Sequence, residues 1–270
     1  MQDQHFFLGL RRPDRDGYRK DPVDTGVIDF AAWVVALVAA RKSTAEPVLR
    51  SDLLAAFHAA AIEETLDAME AFLRDLVRQK IPAAAVADLY IPALARRLGD
   101  DWLDDRVSFM EVTLASSRMQ GMLRAIGAAW TADLAGPGQQ GALLLIVVAN
   151  EQHTLGAMVL LGQLRRMGVS VRLAVGPDRT ELRDLLAGGL YQGVLVSAAS
   201  PSRLADLRAV VQEVRRTGPD GIVIAVGGHI LQTAADVKGA TGADLATSDP
   251  VLVLEACGIR CDVIGARQRA

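Results

Sequence analysis

Only four histidines and two cysteines are available in this sequence as soft metal donors, and His153 is the one with a chemical setting. It lies in the stretch 142–156, ALLLIVVANEQHTLG, with Glu151 two residues before it and Gly156 three residues after. A carboxylate at that spacing can accept from one ring nitrogen of the imidazole, which orients the ring and leaves the other nitrogen for a metal. A glycine just beyond removes a side chain where something bulky passes close to the backbone. Gln152 and Thr154 complete the polar loop. Taken alone, His153 also reads as an exposed loop histidine. Two further clusters stand at the ends of apolar runs: Ser197-Ala198-Ala199, and the pair Gly227-Gly228 followed by His229.

The elements that must position these residues follow from periodicity. Short apolar runs at Ala142–Ala149, Val169–Val175, Gly193–Ser197, Ile222–Val226 and Ala243–Ala246 alternate with helical patterns beginning near Leu155, Asp178, Pro201, Ile230 and Pro250. Five such units with fully apolar strands predict a parallel sheet covered by helices on both faces. In a doubly wound sheet the ends of strands one, three and four lie side by side on the carboxyl edge, where ligands bind. The three clusters are thereby expected at one site.

Upstream the pattern is helical from Val27 to Thr131. Val27–Lys42 reads as one helix, a second follows an N-cap at Ser51, and Glu63–Lys80 carries Leu66, Met69, Leu73, Leu76 and Val77 along one face. Pro82 opens a helix that reaches about Trp102 and bends near Pro92; Ser108–Trp130 is the last. The helices after Ser51 form a bundle of about four, with Val27–Lys42 beside it. Met110, Met119 and Met122 are expected to fill its core, and His58 to be a satisfied bundle histidine. Residues 1–26 form a flexible, charged tail that contains His5, residues 27–131 the bundle, 132–141 a linker and 142–270 the α/β domain.

Composition excludes several classes. The chain has 270 residues, 51% of them hydrophobic, and a net charge of −3; with a pI near 5.8 it offers no general surface for nucleic acid, and direct DNA contact is not expected. Cys257 and Cys261 form no disulfide framework and lack the partners of a zinc site. The longest apolar run, Phe30–Ala40, falls short of the ~20 residues of a membrane span. The N-terminus does not read as a secretory signal, and a soluble cytoplasmic protein is expected. After the first strand there is no G-x-G-x-x-G, no P-loop occurs, Ser197 replaces the aspartate a phospho-receiver needs, and no G-x-S-x-G is present.

The combination E-x-H-x-x-G, a serine closing the third strand and G-G closing the fourth resembles the cobalamin-binding domain, with its D-x-H-x-x-G, S-x-L and G-G signatures. Gly242-Ala243-Asp244 and Ser248-Asp249 resemble the last strand and loop of that family. The resemblance implies a five-stranded, Rossmann-like domain of flavodoxin type after a helical bundle. It implies His153 as the lower cobalt ligand, and Ser197, Gly227 and Gly228 along the tunnel for the displaced nucleotide tail. Here the acid is Glu151, one methylene longer than aspartate, and the third S-x-L position is Ala199.

Residues 98–120 resemble the helical cap that precedes such domains in methyltransferases and photoreceptors, where a Trp followed nine residues later by Glu-His covers the upper corrin face. Trp102 and Glu111 have that spacing, but Val112 replaces the histidine, and Leu103 stands where some light-sensing relatives have a second one. Trp102 also fits bundle core, and Glu111 also fits a capping box with Ser108. No catalytic barrel of about 250 residues and no helix-turn-helix is seen, so a binding module rather than an enzyme is expected. With G-D-D-W-L-D-D-R-V-S-F, the chain over about residues 50–258 is similar to the AerR/PpaA antirepressors of photosynthesis gene expression. That resemblance implies a light- or redox-responsive regulator that binds cobalamin, with a small upper ligand such as hydroxyl or water preferred, and acts through a DNA-binding repressor of the CrtJ/PpsR type. A corrinoid carrier for a methyltransferase, and haem on His153, are the alternatives.

Overall fold

The structure is a computed structural model and describes residues 48–133 and 141–260. The tail expected at 1–26, the helix expected at Val27–Lys42, most of the expected linker and Cys261 lie outside the described residues.

The helical half contains α1 (Ser51–Ile62), α2 (Asp67–Arg78), a single turn Ala83–Ala85, a π-helical segment Val86–Tyr90, α3 (Ile91–Leu103) and α4 (Phe109–Asp133). Phe57, Met69, Leu73, Leu76, Leu94, Met119, Met122 and Ile126 form its core, with Phe57 and Phe72 stacked at 4.7 Å. Three sequence expectations change here. Ser51 is the first helical residue rather than the N-cap; Arg50 holds that place with no side-chain cap. The second helix begins at Asp67, not Glu63, because the buried Arg118 guanidinium draws the carbonyls of Ala60, Ala61, Glu63, Glu64 and Thr65 onto itself. Those groups would otherwise be unpaired at a helix end. Pro82 is the N-cap of the next turn rather than its first residue. The bend expected near Pro92 takes the form of the π segment just before it, in which the Ile91 amide donates to Val86 O. Pro92 has no N–H to give Asp88, so the register slips by one residue.

The α/β half runs β1 (Ala142–Val147), α5 (Leu155–Arg166), β2 (Ser170–Val175), α6 (Arg179–Gly188), β3 (Gly193–Ser197), a 3₁₀ turn Pro201–Arg203, α7 (Leu204–Thr217), β4 (Val223–Gly227), α8 (Ile230–Thr233), α9 (Val237–Thr241), β5 (Leu245–Ala246) and α10 (Pro250–Ala256). The five strands are all parallel in the order β2-β1-β3-β4-β5. Leu143 to Val147 of β1 are fully buried, which is why that run shows no polar alternation. The short helix α9 was not foreseen; its cap is Asp236, whose backbone is left-handed and whose side chain accepts from Gly239 N. Val147, Ser197 and Gly227 are in register across β1, β3 and β4, so the three clusters leave the sheet at one level.

Helix α5 belongs to both cores. Val159, Leu155 and Met158 pack into the bundle, whereas Ala157, Leu160, Leu161 and Leu164 pack onto the sheet. An ion pair, Asp88–Arg166, joins the π segment to the far end of α5. Near its start, Gln120 Nε2 donates to Thr154 Oγ1 at 3.4 Å. The bundle is thereby docked on the helix that follows the His153 loop. Among the described residues no helix is long and apolar enough to cross a membrane.

Candidate functional site

Strand β1 ends at Val147, and three residues later Asn150 takes a left-handed backbone (φ 59°), a conformation asparagine tolerates better than most side chains. The chain turns back there, with the Glu151 amide donating to Val148 O at 3.3 Å. The turn sinks the Glu151 carboxylate into the protein: its side chain is only 3% exposed. Glu151 Oε2 accepts from the Ala199 amide at 2.9 Å, across the gap between the β1 and β3 loops. Its Oε1 accepts from the His153 amide at 2.9 Å and lies 2.7 Å from His153 Nδ1. The extra methylene of glutamate therefore spans both contacts.

Burial pushes the Glu151 carboxyl up, but the amides of Ala199 and His153 and the His153 ring together outweigh it, and the net direction is down. An ionised carboxylate against Nδ1 places the ring proton on Nδ1 and leaves the Nε2 lone pair bare. The His153 side chain is 75% exposed, so that lone pair faces outward from the carboxyl edge. This is the topological switch point, between a strand that leads left to β2 and one that leads right to β4.

Among the described residues no group of three or more His, Cys, Asp or Glu side chains could hold a metal ion. One anchored imidazole suits a metal that brings its remaining ligands with it. A Cβ at Gly156 would meet nothing within 4 Å, so the start of α5 is open to a large group. Gln152 is exposed, and Thr154 is half-buried under Gln120.

Ser197 is half-buried at the end of β3. The glycine pair has a reason of its own in the fold. A Cβ at Gly228, where φ is 103°, would lie 2.2 Å from Ala198 O, and one at Gly227 would lie 2.8 Å from Thr247 O. Backbone from the neighbouring loops already fills the side-chain positions, so substitution at Gly227 tests the β4–β5 joint as much as any tunnel. His229 is exposed and precedes α8.

In the bundle Trp102, near the end of α3, is 51% exposed and is not core. Leu103, Phe109 and Met110 are exposed beside it in sequence; Met110 was expected inside and is not, because the first turn of α4 projects past the packed part of the bundle. Met119 and Met122 are buried as expected. Glu111 completes a capping box: its Oε2 accepts from Ser108 N and Oγ at 2.7 Å each, and its own amide donates to Ser108 Oγ at 3.2 Å. Those bonds, the Ser108 amide first, hold its carboxyl below the usual range. Val112 and Leu103 leave no imidazole in this turn. Sequence reasoning missed Asp101 and Arg106, which brace the turn, and Gln120 and the Ala199 amide. Of these only the D-x-x-x-x-R spacing was visible in advance.

No protein-family model matches the chain. Its fold is similar to that of the Methanosarcina barkeri monomethylamine corrinoid protein, with a TM-score of 0.61 at 12% identity over 78% of this chain and 97% of that one. By sequence it is 37% identical over 174 residues, 64% of its length, to an uncharacterized 20.5 kDa protein in the bchF–crtJ intergenic region of Rhodobacter capsulatus, and the match spans 91% of that relative. The chain belongs to the same family as this protein of the bchF–crtJ region.

Proposed function

We infer that the chain binds cobalamin at the carboxyl edge of its sheet and acts as a regulator through a DNA-binding repressor partner, without catalysis of its own. The observation that carries the cofactor reading is the single exposed imidazole whose Nδ1 is fixed by the buried Glu151, next to a glycine with open space around it. His153 would be the lower ligand. Ser197 and the Gly227-Gly228 backbone would flank the tail, and Trp102 would cover the upper face. When bound, the cofactor supplies a metal with its own equatorial nitrogens and an upper bond that light can break. The protein's part is to orient His153, with Nδ1 turned to Glu151 and Nε2 turned outward, and to set the room above the corrin. With Val112 and Leu103 in place of histidines, this turn offers no side chain to take a vacated upper position, which favours a small upper ligand.

The regulatory reading draws on the gene position named for the relative, beside crtJ. It also draws on Cys257. Burial raises its thiol to about 11, so little thiolate exists at neutral pH and this cysteine is a poor redox sensor. Among the described residues this leaves the bound cofactor, through light or through the redox state of its metal, to carry the signal. The likeness to a monomethylamine corrinoid protein favours a second reading, a corrinoid carrier for a separate methyltransferase.

The test is an absorption spectrum of the purified full chain with hydroxocobalamin and with adenosylcobalamin, dark and illuminated. A histidine-ligated spectrum, lost in His153→Ala, is expected, with illumination raising retention of the adenosyl form. Gly156→Leu should block binding while leaving the melting temperature intact, because a Cβ at this position meets nothing within 4 Å. Unchanged spectra on adding cobalamin would sink the reading, and a Soret band with haemin would replace it with a haem sensor. Methyl transfer from methylcobalamin to a partner enzyme would favour the carrier.

A further inference from the structure

The motif G-D-D-W-L-D-D-R-V-S-F is more than a marker of kinship, because its polar residues bond to one another and three of its apolar residues, Trp102, Leu103 and Phe109, stand exposed. Asp101 is buried (7% exposed) at the end of α3, one residue before Trp102. Its Oδ1 accepts from Arg106 Nε at 2.8 Å and lies 2.7 Å from Arg106 Nη2, so one carboxylate oxygen sits between two guanidinium nitrogens. The Arg106 amide donates to Asp101 O at 2.7 Å, and Asp104 pairs with Arg106 Nη1 at 2.7 Å. His58 from α1 brings Nε2 to 2.9 Å from Asp101 Oδ2, near enough for an ion pair but not aligned for a hydrogen bond, and Arg97 stands at 3.7 Å.

Asp105 takes a left-handed backbone within the turn (φ 56°), and Val107 is buried beneath it. Outside the turn the picture reverses. Of nine large apolar side chains exposed among the described residues, four fall between Trp102 and Met110, so the network holds apolar groups out rather than in. Groups that are held in water by a rigid polar brace are groups meant to touch something.

We propose that Asp101 is a positioning residue which, through Arg106 and His58, fixes the turn that presents Trp102 over the cofactor. The proposal rests on the cobalamin reading for what Trp102 touches, but not for how the turn is held. Asp101 contacts no cofactor itself. It acts by ending α3 and starting the reversal into α4 in one geometry, so that the indole enters the site pre-ordered rather than being ordered by the ligand.

The experiment compares wild type with Asp101→Asn and Arg106→Gln, each alone, together, and each with Trp102→Phe. Acrylamide quenching of the protein without cofactor, taken as the difference between each protein and its Trp102→Phe counterpart, isolates the indole from the other two tryptophans. Asp101→Asn should raise Trp102 accessibility and narrow the affinity ratio between hydroxocobalamin and dark adenosylcobalamin by about threefold to tenfold, while the histidine-ligated spectrum stays as in wild type. Arg106→Gln, on a largely exposed side chain that folding does not require, should shift both readings the same way, and the double variant should add little to either.

A lowered melting temperature with unchanged quenching and unchanged ratio would overturn the proposal, as would full additivity of the two variants. Should Asp101→Asn fail to fold, Arg106→Gln alone decides. If wild type binds no cobalamin, the cofactor reading fails while the quenching result still judges the positioning role.

Discussion

At the carboxyl edge of the sheet a buried carboxylate, Glu151, holds an exposed imidazole; at the end of the bundle a buried carboxylate, Asp101, holds a guanidinium and leaves an exposed indole next to it in sequence. The two acids are satisfied differently. Glu151 takes two backbone amides, one of them from the loop after a neighbouring strand, so its position is as rigid as the sheet. Asp101 takes side chains, and Arg106 reaches it from solvent with more than half of its own side chain exposed. An exposed arm of this kind contributes little stability and is screened by salt. The support of the imidazole is therefore built from the backbone of the fold, and that of the turn beside the indole from side chains.

The difference can be broken from the rigid side first. Gly228→Val should cost about 3 kcal/mol or more, since it combines a forbidden backbone conformation with a clash against Ala198 O. A calorimetric melt should show a large drop. Gly127→Ala in the bundle, where a Cβ meets nothing within 4 Å, should be neutral or stabilising by about 0.5–1 kcal/mol. Equal effects at the two glycines would remove the claim that the loop is the rigid partner.

His153→Ala comes next. It should leave the melting temperature almost unchanged, the side chain being three-quarters exposed, yet weaken cobalamin retention by about 100-fold. A fall in stability without a loss of retention would reassign His153 to structure.

Glu151→Gln should weaken retention by about tenfold. It also carries a pH signature. The folded carboxyl lies below its ordinary value, so the ionised form adds stability that is complete above the unfolded value of about 4.3 and is lost as pH falls through the folded one. Urea titrations should thus show a wild-type advantage over Glu151→Gln that is flat near neutrality and shrinks in acid. An advantage that persists unchanged to low pH would mean that the charge is not what the amides recognise.

A modest effect on stability is expected at Trp102. Half-exposed as it is, Trp102→Ala should cost about 1 kcal/mol, well short of the ~3–5 kcal/mol of a buried aromatic, and should narrow the preference for hydroxocobalamin over dark adenosylcobalamin. Binding titrations with both ligands beside a melting curve separate the outcomes. A core-sized loss of stability with an unchanged ratio would contradict the exposed placement.

What the sequence determined by itself is local. Apolar runs of four to eight residues between turn residues made strands, 3.6-residue periodicity made the bundle, and E-x-H-x-x-G and G-G marked the strand ends; all of these are encoded by neighbours along the chain. The strand order and the shared level of Val147, Ser197 and Gly227 are those expected of the flavodoxin-type sheet that the family resemblance implied. The glycine pair was legible as close approach, but the approaching groups proved to be the Ala198 and Thr247 carbonyls. Tertiary structure alone decided that Glu151 reaches Ala199 forty-eight residues on, that Arg118 unwinds the start of α2 from more than fifty residues away, and that Trp102 and Met110 stand in solvent. Each of these depends on which groups a distant segment brings within hydrogen-bond range, or on where a packed core ends, and neither is written in the spacing of nearby residues.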